Sequence, residues 1–441
     1  MPASLNSLVI AIITLAGCAG APPKTEVTTD WPLIQQRAAA DRISEPEGPL
    51  DLSTALTLTV LHHPQLQGAE DLERLRNARI RAAKVAPNPA LELTAEDVLG
   101  SGPFRGAGGS QWTLTVSQLV ELGGKPAARA ALAQSQSAAE LVQFQLNRLT
   151  VLSAVTLDFA QLVFLQERRK NLAHRMENAN TLEQAIAARI EAGKESELQL
   201  KQYQLQLSLL RFDLEDLDRQ VQAARSRLAS HWGSQAPRFS HAVGRFSIPE
   251  KLPSASELRA RLARHPETQL RHAQIAQLQA QRELERRQAV PDIAFSLGVR
   301  MISEDRNAAM VGGISLALPV WDRRREAVEV LDAQVRGSAR EATAQLFLLG
   351  QTLDRKLAEL TRQREELLML DGRILPELEA NLRLFREGFA MGRFTLLEML
   401  ETQKGLFELR DRILNARMSL QTIILELEFL TGMPLDSGGS R

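Results

Sequence analysis

The stretch from Pro291 to Arg325 constrains the fold more than any other part of the chain. Ile293, Phe295, Leu297 and Val299 alternate with Ala294, Ser296, Gly298 and Arg300, a period of two that predicts a β-strand with one apolar face. Asp305, Arg306 and Asn307 form a polar break, after which Ile314, Leu316 and Leu318 alternate with Gly313, Ser315 and Ala317. Each run is about nine or ten residues, the length of a tilted strand that crosses a bilayer. Long, polar-rich helical sequence flanks both. A hairpin of this kind is out of place in a water-soluble helical protein and suits one whose apolar face meets lipid.

The same pattern occurs earlier. Leu91, Leu93 and Ala95 alternate on one run and Trp112, Leu114 and Val116 on another, across a loop rich in Gly, Ser and Pro. His63-Pro64 recurs as His265-Pro266 and Pro89 as Pro291, both 202 residues apart. Residues 192–194 correspond to 391–393, and Gly233 to Gly432, at a separation of 199. The chain reads as a duplicated unit of roughly 200 residues, too long a period for a solenoid array. Its halves are expected over residues 50–233, with strands at about 90–98 and 111–119, and 254–433, with strands at about 292–300 and 311–319. Residues 234–253 are the linker between them, and residues 434–441 a disordered tail.

Lys+Arg and Asp+Glu balance at 53 each, so charge gives no reason to expect a nucleic-acid partner. Leu8 to Leu15 is a short apolar run followed by Leu15-Ala16-Gly17-Cys18, which reads as a bacterial signal peptide, residues 1–17. It resembles the lipoprotein pattern in which Cys18 is lipidated (palmitate among its chains) and becomes the mature N-terminus. The resemblance implies that Ala19, rather than an Asp, then directs the lipoprotein to the outer membrane. Cys18 is the only cysteine, which excludes an intramolecular disulfide. Residues 18–49 read as an extended tether. Beyond the leader no apolar run approaches twenty residues, so no membrane-spanning helix is expected.

Helical periodicity covers most of the rest. A proline-free stretch from about Ala127 to Ile190 would be on the order of 95 Å long. Gly193 marks a turn, and Glu197 to Leu228 runs back on Leu198, Leu205, Leu209, Leu217 and Val221. The second half repeats this from Glu326 to Phe389, with Pro376 kinking or offsetting the helix, a turn at Gly392 and a return over Leu396 to Leu430. His62 and His63 sit beside a helix-breaking proline and are expected to be structural or surface groups.

Four strands cannot close a barrel, and lipid tolerates no open sheet edge. Closure then requires several copies, and three chains supply twelve strands around a polar lumen. Ser296, Gly298, Ser315 and Ala317 are the expected lumen-facing positions. The fold class is therefore mainly α with a small membrane β part.

ProAsnProAla (87–90), SerGlnLeuValGluLeuGlyGlyLys (117–125), ProAsp (291–292), LeuProValTrpAsp (318–322) and the run from Phe385 to Gln403 together resemble the TolC-type outer-membrane efflux protein family. The resemblance spans Leu50 to Gly432. It implies a homotrimer with a twelve-strand barrel on a long α-helical periplasmic tunnel, in the outer membrane of a Gram-negative bacterium. A periplasmic adaptor and an inner-membrane transporter would be its partners. It also implies no catalytic activity and no cofactor beyond the covalent lipid. GluLeuGlyGlyLys (121–125) is similar to the heavy-metal cation efflux (CzcC-like) branch, with Pro126 where that branch usually carries Arg. Ducts for multidrug efflux or type I protein secretion have the same fold and remain the alternative.

The resemblance places a closed periplasmic entrance just after the second hairpin tip. Glu398 and Glu401, three residues apart on one helical face, would form stacked acidic rings there that favour cations. The hairpin tips, with Gly193, Lys194, Gly392 and Arg393, are the implied adaptor contacts. No Walker loop, zinc-spaced Cys/His set or nucleophile elbow occurs, and no metal ligands are assigned.

Overall fold

A computed structural model of the chain describes residues 46–191, 193, 196–244, 253–391 and 393–433. The leader, Cys18, nearly all of the tether, Lys194, Gly392 and the tail lie outside the described residues.

Helix α1 (Leu52–His62) starts where the Asp51 carboxylate accepts the Thr54 N–H at 2.7 Å, a side-chain N-cap. It stops before Pro64. Helix α2 (Ala69–Ala83) follows the left-handed Gly68. Strands β1 (Ala90–Glu96) and β2 (Gln111–Val120) come next. They lead through Gly123 and Gly124, both at positive φ, into helix α3 (Lys125–Glu191). At 67 residues this helix is about 100 Å long. Helix α4 (Glu197–Ser230) returns from a capping box made by Ser196 and Gln199.

The order of elements then recurs. Helix α5 (Ala255–Leu262) is opened by a Ser254–Glu257 capping box, and α6 (Pro266–Gln288) by the His265 ring. Strands β3 (Ile293–Ile302) and β4 (Asn307–Leu316) precede helix α7 (Arg325–Met369). A π-helical turn, Leu370–Ile374, joins α7 to α8 (Leu375–Ala390). Within it the Leu375 N–H reaches the Leu370 carbonyl, five residues back. The widened turn takes up the donor that Pro376 lacks, so the outgoing rod continues across a proline. Helix α9 (Leu396–Thr431) returns and ends on the left-handed Gly432.

The four strands form one antiparallel sheet in the order β1-β2-β3-β4. The halves are therefore joined at β2 and β3, which pair from Gln111↔Ile302 to Val120↔Ile293. Four strand limits differ by two or more residues from the sequence reading. β3 continues to Ile302 rather than ending near 300, because Met301 and Ile302 keep their pairing with Trp112 and Gln111. β4 begins at Asn307 rather than about 311, since Asn307 to Met310 pair with Ile302 to Val299 directly after the turn. Ala308 and Ala309 offer no polarity contrast, so this part of the strand is silent in the alternation. β4 stops at Leu316, leaving Ala317 just past its end. β1 stops at Glu96, where Asp97 turns the chain at φ 57°.

One core lies where α1, α3 and α4 meet the segment after α4, around Leu50, Leu162, Leu228 and Phe239. Each of these fully buried side chains contributes about 1.5–3 kcal/mol. Such packing, more than helix propensity, holds rods of this length in place. A second core joins α5, α7 and α9 through Leu258, Leu353 and Ile424. Helix α3 is, by length and composition, apolar enough to cross a bilayer, but half of that stretch is buried within the chain. Thr150, Ser153, Thr156, Asp158 and Gln161 interrupt its apolar run.

The return helix α4 differs from expectation in which face it buries. Leu217 and Val221 are buried as foreseen, whereas Leu198, Leu205 and Leu209 are exposed. Tyr203, Leu207 and Leu210 occupy the inward face instead.

Candidate functional site

The sheet has inverted polarity. Leu91 and Leu93 on β1, Trp112, Leu114 and Val116 on β2, and Phe295, Leu297, Val299 and Met301 on β3 are exposed on one face. The opposite face carries Thr113, Thr115, Ser117, Ser296 and Arg300, and it is the more enclosed of the two: Thr113 is 6% exposed. A sheet that hides its polar side and presents its apolar side is curved around the polar face, as in a barrel seen from lipid. Of the expected lumen positions, Ser296, Gly298 and Ser315 lie on this polar face by register. A Cβ on Gly298 would sit 2.6 Å from the Leu114 carbonyl oxygen, so the close approach of β2 and β3 there requires glycine.

Below the strands the two halves are locked by charge. Lys125 Nζ lies 2.7 Å from Asp292 Oδ2, and the Leu122 N–H donates to Asp292 Oδ1 at 3.0 Å. Arg129 forks onto both Glu121 oxygens and donates to the carbonyls of Ala83 and Val85. Burial would raise the Asp292 pKa, but the Lys125 ammonium and the Leu122 N–H outweigh it and hold the carboxyl below its usual range. The hydrogen bond from Arg129 does the same for Glu121. Two stretches that stand out separately in the sequence, 121–125 and 291–292, thus touch each other. Nothing in their spacing could have announced the pairing. The available signal was one charge of each sign at the near ends of two adjacent strands, Lys125 after β2 and Asp292 before β3.

At the far end of the helical hairpins, Gly193 turns at φ 70° and its N–H reaches the Ile190 carbonyl. Arg393 is exposed, with its N–H on the Gly388 carbonyl at 2.8 Å. Phe394 packs on Phe385 with ring centroids 4.6 Å apart and against the bare Cα of Gly388. Arg189 lies 4.5 Å over the Phe389 ring, joining the end of α3 to the end of α8. Met399 is buried with Met176, Ile186 and Tyr203.

Glu398 and Glu401 are both exposed on α9. Glu398 is engaged locally, where its Oε2 accepts from the Thr395 N–H and hydroxyl, each at 2.8 Å. The Thr395 N–H, then its hydroxyl, lower the Glu398 pKa. Among the described residues no ion pair reaches Glu401; Lys404 pairs with Glu408 at 3.7 Å instead. The aromatic lock and the cation–π bridge were not foreseen in the sequence.

The histidines act as caps. His63 Nδ1 accepts the Gln65 N–H, and its ring lies beside that of His231, which is 2.8 Å from Asp158. His265 is buried and accepts the Glu267 N–H. Among the described residues no group of three or more His, Cys, Asp or Glu could hold a metal ion.

A membrane sheet with its apolar face outward, standing on outgoing helical rods about 100 Å long with shorter helices running back along them, defines the class of outer-membrane channels extended by a helical tunnel. The sequence model for outer membrane efflux proteins matches residues 56–234 and 258–433, and the chain belongs to that family. It is 28% identical over 373 residues to the cobalt-zinc-cadmium resistance protein CzcC of Cupriavidus metallidurans, across 84% of this chain and 87% of that protein. It is 24% identical over 255 residues to the nickel and cobalt resistance protein CnrC of the same organism, across 58% and 60%. Crystal structures of CusC superpose with a TM-score of 0.71 at 15% identity, covering 87% of this chain and 92% of that one.

Proposed function

We propose that the chain is the outer-membrane channel component of a tripartite efflux pump of the resistance-nodulation-division type. It conducts heavy-metal cations passively from the periplasmic pump assembly to the exterior. The observation that carries the channel reading is the inverted polarity of the sheet. The cargo is supported by the metal-resistance names of the two relatives. In this reading the halves are duplicates and three copies close the barrel. Cys18 carries the lipid anchor, and the hairpin tips around Gly193, Lys194, Gly392 and Arg393 meet the adaptor. No catalysis and no cofactor are assigned.

Glu401 and, one turn before it, Glu398 line the periplasmic entrance in this reading. Because Glu398 also caps α9, Glu401→Gln is the cleaner probe. Single-channel recordings of that variant are expected to show weaker cation selectivity than the wild type; an unchanged ratio removes Glu401 from the entrance. The cargo is tested by deleting the gene and comparing zinc, cadmium, cobalt, nickel, copper and silver salts with detergents, dyes and antibiotics. Hypersensitivity restricted to metals and reversed by the restored gene is the expected result. Sensitivity to organic compounds alone would replace the metal cargo by multidrug efflux.

A further inference from the structure

All three charged residues of the four strands, Glu92, Glu96 and Arg300, fall on the polar face by register: Glu92↔Thr115, Glu96↔Gln111, Arg300↔Thr113. The apolar face carries none. Arg300 lies across three strands, with Nε donating to Thr113 Oγ1 at 3.1 Å and Nη1 to Gln111 Oε1 at 3.3 Å. Its Nη2 lies 3.3 Å from Glu96 Oε2. All three guanidinium nitrogens are therefore held, and the charge is fixed on the wall rather than swinging free. Through Thr113, Arg300 stands level with Thr94, midway in register between Glu92 and Glu96 on β1, and its guanidinium is turned to the Glu96 side, where its nitrogens are engaged. Among the described residues no basic group pairs with Glu92.

We propose that Arg300 sets the ion selectivity of the barrel section by neutralising Glu96, leaving Glu92 as the uncompensated charge on the polar wall. The inference rests on the channel reading above and concerns a part of the duct remote from Glu398 and Glu401. If the sheet closes around its polar face, each copy contributes one neutral pair and one free carboxylate to the lumen. The wall then attracts cations weakly at the level of Glu92 and is silent at the level of Arg300. Rings of fixed charge act on permeant ions in this way.

The test uses the full-length protein in planar bilayers in about 0.1 M KCl. Hexaamminecobalt(III), an inert trivalent cation, is added to each side in turn. One-sided addition reports the wide barrel end independently of the narrow entrance. Arg300→Gln exposes Glu96 and is expected to lower the half-blocking concentration from the barrel side about tenfold. Glu92→Gln is expected to raise it. Glu96→Gln, which leaves Arg300 uncovered, also raises it, and the double variant Arg300→Gln with Glu96→Gln returns to the wild-type value. Return of the double variant is the result a purely structural role would not give.

A shift in Arg300→Gln that persists in the double variant, or no shift in any variant, overturns the proposal. If Arg300→Gln fails to assemble, Glu96→Gln and Arg300→Lys decide. Arg300→Lys should keep the wild-type block while Glu96→Gln weakens it, and wild-type block in Glu96→Gln overturns the proposal. Wild-type protein that forms no pore overturns the channel reading itself, whereas pores indifferent to these substitutions overturn only the role of Arg300.

Discussion

Tyr203 is the only tyrosine in the chain, so its ionisation can be followed without assignment. Its hydroxyl donates to the Ala179 carbonyl at 3.0 Å, and burial, followed by the nearby Glu183 charge, pushes its pKa up to about 12. An unfolded tyrosine titrates near 10. Between these values the unfolded chain loses a proton that the folded chain keeps. Stability from this site is therefore complete below about pH 10 and falls as pH rises toward 12. Absorbance at 295 nm should give a midpoint near 12 in the folded protein and near 10 in guanidinium. A folded midpoint near 10 would mean that the packing of α3 on α4 at the tip is looser than described. Neighbouring Glu398 shows how one residue serves two readings: its place three residues before Glu401 is legible in the sequence, and so is the Thr395-x-x-Glu398 capping pattern. Sequence alone did not rank them, because a capping box satisfies helix N–H groups whatever lies across the lumen.

At the scale of elements, the junction beneath the sheet is the most exacting feature. Lys125 and Asp292 have side chains 10% and 22% exposed, so removing one partner strands a charge that water reaches poorly. Such losses cost about 3–5 kcal/mol. Lys125→Met is expected to lower the thermal midpoint of the purified protein and to do so less at acid pH, since protonating Asp292 removes the stranded charge. Sign follows from the depressed Asp292 pKa: the pair stabilises above the unfolded value of about 3.9 and fades as pH falls through the folded one. A midpoint equal to wild type at neutral pH would show that the pair is replaceable. The rods and hairpins on either side of this junction were legible from periodicity, to within a few residues in most cases. Where the reading failed, the reason was local. Ala308 and Ala309 hid the start of β4, and the π-turn before Pro376 adds only one residue to the helical repeat, a phase shift too small to stand out in a rod of this length. The face of α4 was misjudged because that helix carries two apolar stripes, and composition cannot say which one faces its own chain.

The second stripe matters for the whole molecule. Leu198, Leu205, Leu209 and Phe212 are exposed along α4, while β1 and β4 are the two ends of the sheet. About half the backbone groups of those two strands point away from any partner within the chain. Each such group left unsatisfied in hydrocarbon costs several kcal/mol, so an open sheet would be disfavoured by tens of kcal/mol. Pairing β4 of one copy with β1 of the next removes that cost; the apolar stripe of α4 lies at the other end of the rods, by the hairpin turn, and would need a separate contact there. Light scattering in detergent should therefore give three times the protomer mass. Proline tests the edge directly. Of Val311 and Gly312, successive residues of β4, one N–H faces β3 and the other the open edge. Proline at the residue facing β3 should disrupt the chain's own sheet. At the residue facing the edge it should leave circular dichroism nearly unchanged and convert the trimer to protomers. Two trimeric variants, or a wild type that is monomeric when folded, would mean that the edges are covered some other way and that the barrel is not closed by strand pairing between copies.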